Sequence, residues 1–186
     1  MRLDPTPVLP LAVVHQEGLV GLVAVLGLAF RPGGPLPALS STRPAVVWLG
    51  LGIGSGLALA GGLWLLRRLP ALERLEQWQR ELVGGWSGPE AMVVAVLSGL
   101  AEEALVRALL QPVAGLWLAA GVFALLHLVP DRRLWFWPVM AFALGLGLGL
   151  VFVHAGYPAC ALSHGTVNLV GLLRLRIARE GSGSRA

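Results

Sequence analysis

Glu102, Glu103 and Arg107 lie in an otherwise apolar run, Leu-Ala-Glu-Glu-Ala-Leu-Val-Arg-Ala over 100–108. Each ionised side chain near a bilayer centre costs about 2.5–3.5 kcal/mol on insertion scales, so three together demand a reason. Glu103 and Arg107 are four apart with the acid first, the favourable order for an ion pair on one helix face. Glu102 points about 100° away and is left for another partner, which makes it the reactive candidate. Two further apolar runs supply partners: His127, with Phe123 one turn before it, and His164, with Asn168 one turn after it. A carboxylate and an imidazole can hold and deprotonate a water between them. A second imidazole and a carboxamide can donate hydrogen bonds to the oxyanion formed when that water attacks an amide. The sum is peptide hydrolysis without a covalent intermediate.

Rival chemistries lack their parts. There is no His-Glu-x-x-His zinc pattern. Ser55, between Gly54 and Gly56, lacks the context of an activated nucleophile, and Asp4 and Asp131 both fall outside the apolar runs. Cys160 reads as packing, and His154 and His15, the latter near Glu17, read as interfacial or packing residues. Two other readings of the polar residues stay open. One is a structural ion pair with Glu102 joining helices; the other is a proton or solute pathway through a small transporter.

The elements that must position these groups follow from composition. Of 186 residues, 56% are hydrophobic and 13% charged, with mean hydropathy +0.75. A soluble domain carries about 25% charged residues, so soluble and disordered classes are excluded. A single cysteine excludes a disulfide scaffold. Apolar runs at 11–30, 45–66, 91–110, 113–129, 134–153 and 157–173 predict an all-α, polytopic membrane protein with about six transmembrane helices, in one domain over 1–186. Pro112, Pro130 and Pro158 are expected to mark span ends. The spacing of Leu72, Leu75, Trp78 and Leu82 predicts an amphipathic helix over 69–83 at the cytoplasmic interface, and the tail over 180–186 reads as flexible. Gly50, Gly52, Gly54 and Gly56, and Gly145, Gly147 and Gly149, read as surfaces for close helix packing.

All 14 basic residues are arginines. With six crossings, eleven fall on the side of both termini and only Arg31 and Arg43 on the other. The asymmetry places the termini in the cytoplasm of a cell-membrane protein and excludes nucleic acid as the partner. One mismatch remains. Glu102 is about 20 Å of helix from a capping signal at Ser87, but His127 is only about 5 Å from Pro130; bringing them together requires the third helix to project into the cytoplasm, which is the expectation, or strong tilt or offset among the spans.

Glu102-Glu103-x-x-x-Arg107, Phe123-x-x-x-His127 and His164-x-x-x-Asn168, in that order on separate spans, resemble the motif set of the CPBP family. These are the CAAX-protease and bacteriocin-processing intramembrane proteases, or Abi proteins, related to Rce1. The resemblance covers a motif-bearing core of about 90–172. It implies a glutamic-type intramembrane endopeptidase acting on a peptide or membrane-protein substrate in the lipid, or a non-catalytic bacteriocin-immunity scaffold of the same fold. By motif position, Glu102 and His127 correspond to the water-activating pair and His164 with Asn168 to the oxyanion side, supported by Glu103, Arg107 and Phe123. No cofactor is expected; a zinc, if present, would be held by Glu102, His127 and His164.

Overall fold

The computed structural model describes residues 6–183, with side chains to residue 177. Arg2, Asp4 and the end of the tail, 184–186, lie outside the described residues. Helix α1 is Pro10–Ala29, the short α2 is Pro35–Ala38, α3 is Ala45–Leu66 and α4 is Pro70–Val83. Helix α5, Gly88–Glu103, passes through a π-helical segment, Ala104–Leu110, directly into α6, Gln111–Leu126. A 3-10 turn, Arg132–Leu134, leads to α7, Phe136–Gly183. Among the described residues there is no strand.

Among the described residues, four stretches are long and apolar enough to cross a membrane: Pro10–Ala29, Ala45–Leu66, Gly88–Leu126 and Arg132–Ile177. Their outer faces keep apolar side chains exposed, Leu22, Leu57, Met92, Leu118 and Val153 among them, as lipid-facing surfaces do. The last two stretches were expected as two spans each. They run 39 and 46 residues instead, well beyond the roughly 20 that cross the hydrocarbon. Both turn back at a glycine. Gly115 (φ 78°) and Gly156 (φ 80°) adopt a backbone conformation that side chains with a Cβ rarely take. Cys160 Sγ lies 3.1 Å from the Leu148 carbonyl oxygen, whereas twelve residues of straight helix would separate them by about 18 Å. The prolines sit beside these breaks, not at them: Pro112 is in the first turn of α6 and Pro158 follows Gly156.

A reversed helix leaves orphan carbonyls, and the connections satisfy them. Ser41 Oγ donates to the Ala155 carbonyl at 2.8 Å and Arg43 Nε to that of His154 at 3.3 Å. Arg31 reaches the carbonyls of Ala108 and Leu109 in the π segment. Arg43 therefore caps a helix end, while Arg31 serves carbonyls within the π segment. At the opposite end, Trp86 Nε1 donates to the Val8 carbonyl and Arg174 pairs with Glu76, each at 2.9 Å or less. Leu72 and Leu75 of α4 pack there with Leu134, Trp137 and Met140.

The breaks also set the register of the polar residues. Glu102 and His127 are thirteen and twelve positions either side of Gly115, so the turn brings them level. The outgoing leg, 88–114, is about 40 Å long, some 10 Å more than the hydrocarbon core; the returning leg, 116–126, is only about 17 Å. A full span over 113–129 is thus replaced by a half-length leg, which resolves the offset between Glu102 and His127.

Close packing of α3 on α7 depends on alternate glycines. A Cβ at Gly52 would lie 2.8 Å from the Ala159 carbonyl oxygen, and one at Gly56 2.7 Å from that of Ser163. Gly50 and Gly54 meet nothing within 4 Å. Gly56→Val should therefore cost about 1–3 kcal/mol, read as a lower unfolding midpoint in detergent, while Gly54→Val leaves it unchanged. Equal midpoints would contradict this helix contact.

Candidate active site

Helix α5 starts on a capping box. Ser87 N donates to Glu90 Oε2 at 2.7 Å, and Glu90 N to Ser87 Oγ at 3.4 Å. From that start the helix carries Ser98, Glu102 and Glu103 inward. Where it passes into the π segment, the Tyr157 hydroxyl donates to the Leu100 carbonyl oxygen at 2.9 Å.

Glu103 and Arg107 are both fully buried and joined, Nε to Oε2, at 2.9 Å. The carboxylate has two more donors: His164 Nδ1 reaches Oε1 and Cys160 Sγ reaches Oε2, both at 2.8 Å. Arg107 Nη1 donates to Gln111 Oε1 at 3.3 Å, and Gln111 Nε2 to the Gly149 carbonyl at 3.1 Å. Gly149 leaves room for this chain, since a Cβ there would lie 2.8 Å from Gln111 Oε1. A buried charge is tolerable only with such partners, and of the guanidinium nitrogens only Nη2 has none among the described residues. Phe123 is the apolar wall of the cluster, with His127, His164 and the Arg107 guanidinium 4.5, 5.7 and 5.4 Å from its ring centre.

Glu102 is set apart from this cluster, 18% exposed, with Oε2 4.0 Å from Nε2 of His127, itself 20% exposed. That is too long for a hydrogen bond but suits a shared water: one placed about 2.8 Å from both atoms would subtend about 90°. The His127 tautomer follows from its other nitrogen. Nδ1 donates to the Phe123 carbonyl at 2.8 Å, so in the neutral ring Nε2 is the acceptor facing Glu102. Trp137 stands edge-on to the imidazole at 5.3 Å and limits its rotation. Just beyond the spanning leg, Arg133 Nε donates to Asp131 at 3.0 Å. These bonds hold the Asp131 carboxyl down at about 2 and brace the turn after His127.

His164 and Asn168, one turn apart on α7, face the same helix but different residues. His164 takes Glu103, while Asn168 Nδ2 donates to Ser98 Oγ at 2.7 Å. Two cavities connect the groups. One of about 40 Å³ is lined by Phe123, His127, Trp137, His164 and Asn168, room for roughly one water. A larger one, about 310 Å³, holds Glu102, His127, Ser98 and Asn168 at one end and reaches Arg67, Glu76 and Arg174 at the other. Among the described residues, no group of three His, Cys, Asp or Glu side chains is gathered as metal ligands are.

Three side chains here were not assigned to the site from sequence. Ser98 anchors Asn168, Cys160 serves the Glu103 carboxylate, and Glu17 of α1 lines the larger cavity beside Glu102. Only Glu17 carried a signal, as an acid inside an apolar run.

A family model described as type II CAAX prenyl endopeptidase Rce1-like matches residues 84–170. Comparisons with curated proteins and with solved structures return no match.

Proposed function

We propose that this multi-pass membrane protein, similar over residues 84–170 to the Rce1-like type II CAAX prenyl endopeptidases, is a glutamic-type intramembrane endopeptidase. The observation that carries the reading is the 4.0 Å gap between Glu102 Oε2 and His127 Nε2, opening on a cavity shared with Asn168. A water in that gap donates one hydrogen to the carboxylate and the other to Nε2, and turns a lone pair towards the substrate carbonyl. As the water attacks, its proton passes to one of these acceptors; the same pair then returns a proton to the departing amine. No acyl-enzyme forms.

The carbonyl oxygen becomes an oxyanion on the side of His164 and Asn168. A donor at His164 Nε2 requires the doubly protonated ring, and Glu103, hydrogen-bonded to Nδ1, supplies the counter-charge. Asn168 has a second amide hydrogen beyond the one given to Ser98. Glu103 and Arg107 support the site by holding His164, and Phe123 keeps water from that ion pair. Six helical legs with both termini cytoplasmic agree with the arginine distribution and with the contacts at each end. In that orientation α4 lies at the cytoplasmic interface, and the larger cavity admits a peptide from that side.

The test is hydrolysis of C-terminal and membrane-embedded peptides by purified protein in proteoliposomes. New termini at a defined bond are expected; intact peptides across both substrate classes would overturn the reading.

A further inference from the structure

Helix α1 lies outside the segment matched by the family model, yet it places an acid in the site. Glu17 is 5% exposed, and its buried Oε2 has no hydrogen-bond partner among the described residues. The acid beside it is Glu102, which lines the same cavity and interacts with it electrostatically. The approach is enforced by packing. One turn further along α1, a Cβ on Gly21 would lie 3.6 Å from Cβ of Ala101, so α1 rests against α5 directly beside Glu102.

Two carboxyl groups at this range, shielded from bulk water, repel when both are ionised and bind when one proton lies between them. Nothing else facing Glu17 replaces that proton. His164 approaches from α7 but donates Nδ1 to Glu103, and His127 keeps Nδ1 on the Phe123 carbonyl. Arg67 and Arg174 stand at the far end of the cavity, and His15, on the same helix, points outward and is exposed.

We propose that Glu17 is a positioning residue: a protonated acid whose O–H donates to one oxygen of Glu102, leaving the other to orient the water opposite His127. The inference rests on the reading of Glu102 as the water-activating base. It gives a reason for an acid that interrupts the apolar run of α1, where an alanine would insert more easily.

Infrared spectra of the solubilised protein at neutral pH, taken with steady-state kinetics on Glu17→Gln and Glu17→Leu, test it. Wild type should show a protonated-carboxyl stretch that disappears in both variants. Glutamine keeps a donor, so Glu17→Gln should retain kcat within about threefold, whereas Glu17→Leu should lose about ten- to a hundredfold in kcat with KM nearly unchanged. Should leucine impair folding, the glutamine variant still carries the spectral and kinetic readouts. A band absent from wild type, or persisting in Glu17→Gln, overturns the pairing whether or not any peptide is cleaved. Wild-type kcat in a folded Glu17→Leu protein overturns the positioning role. A band that vanishes as expected in a protein that cleaves nothing removes the peptidase reading and the positioning role with it, while the shared proton stands.

Discussion

Glu102→Ala should lower peptide hydrolysis by about 10²–10⁴-fold, the range that general acid–base groups supply, in a protein that still folds. The separation of effects follows from where the residue sits. Glu102 is partly open to a cavity and takes no part in the Glu103–Arg107 ion pair, so its removal strands no buried guanidinium. What is lost is one of the two acceptors that orient the water. His127 alone can accept a proton but cannot fix the direction of attack. The measurement is the single-turnover rate beside the unfolding midpoint in the same detergent. A variant that cleaves at the wild-type rate would contradict the assignment of Glu102.

Glu103→Ala should do the reverse damage first. It leaves Arg107 fully buried without its counter-ion and removes the acceptor used by His164 and Cys160. Truncating one partner of a buried pair costs about 3–5 kcal/mol, a large share of the stability of any domain. Folded yield should fall steeply, and Glu103→Gln should recover only part of it, because an amide oxygen accepts hydrogen bonds but balances no charge. Combining Glu103→Leu with Arg107→Leu should be milder than Glu103→Ala alone, since removing both charges leaves neither stranded. Yield of monodisperse protein and the thermal midpoint read this out. A stable, well-expressed Glu103→Ala protein would contradict the role given to the pair.

The contrast between adjacent glutamates was legible in sequence because helix geometry alone separates them. Glu103 is four residues from Arg107 and Glu102 is not, and the coordinates keep that division. The all-helical, membrane-spanning class was equally open, since a charged fraction of 13% leaves too little polar surface for a soluble fold. The turn at Gly115 was not. Pro112 looked like a span end, yet the first helical turn tolerates proline because its amide has no intrahelical acceptor to serve. The π segment before it carries the helix on past the expected boundary at 110, and the reversal waits for a glycine able to take positive φ. A half-length leg reads in sequence like a short span, because hydropathy records composition and not direction. Ser98, Cys160 and Glu17 were illegible for another reason. Their partners are Asn168, Glu103 and Glu102, each on a different helix, and no periodicity within one helix reports such contacts.

The central claim is that Glu102 and His127 act on one and the same water. Single-turnover hydrolysis by Glu102→Gln, His127→Ala and the double variant tests it most directly. Groups that serve one step as a unit are strongly non-additive, so the double variant should cleave within about threefold of the slower single. If instead the two losses multiply, or if either single variant keeps the wild-type rate, the two side chains do not share a water and the proposed mechanism is wrong.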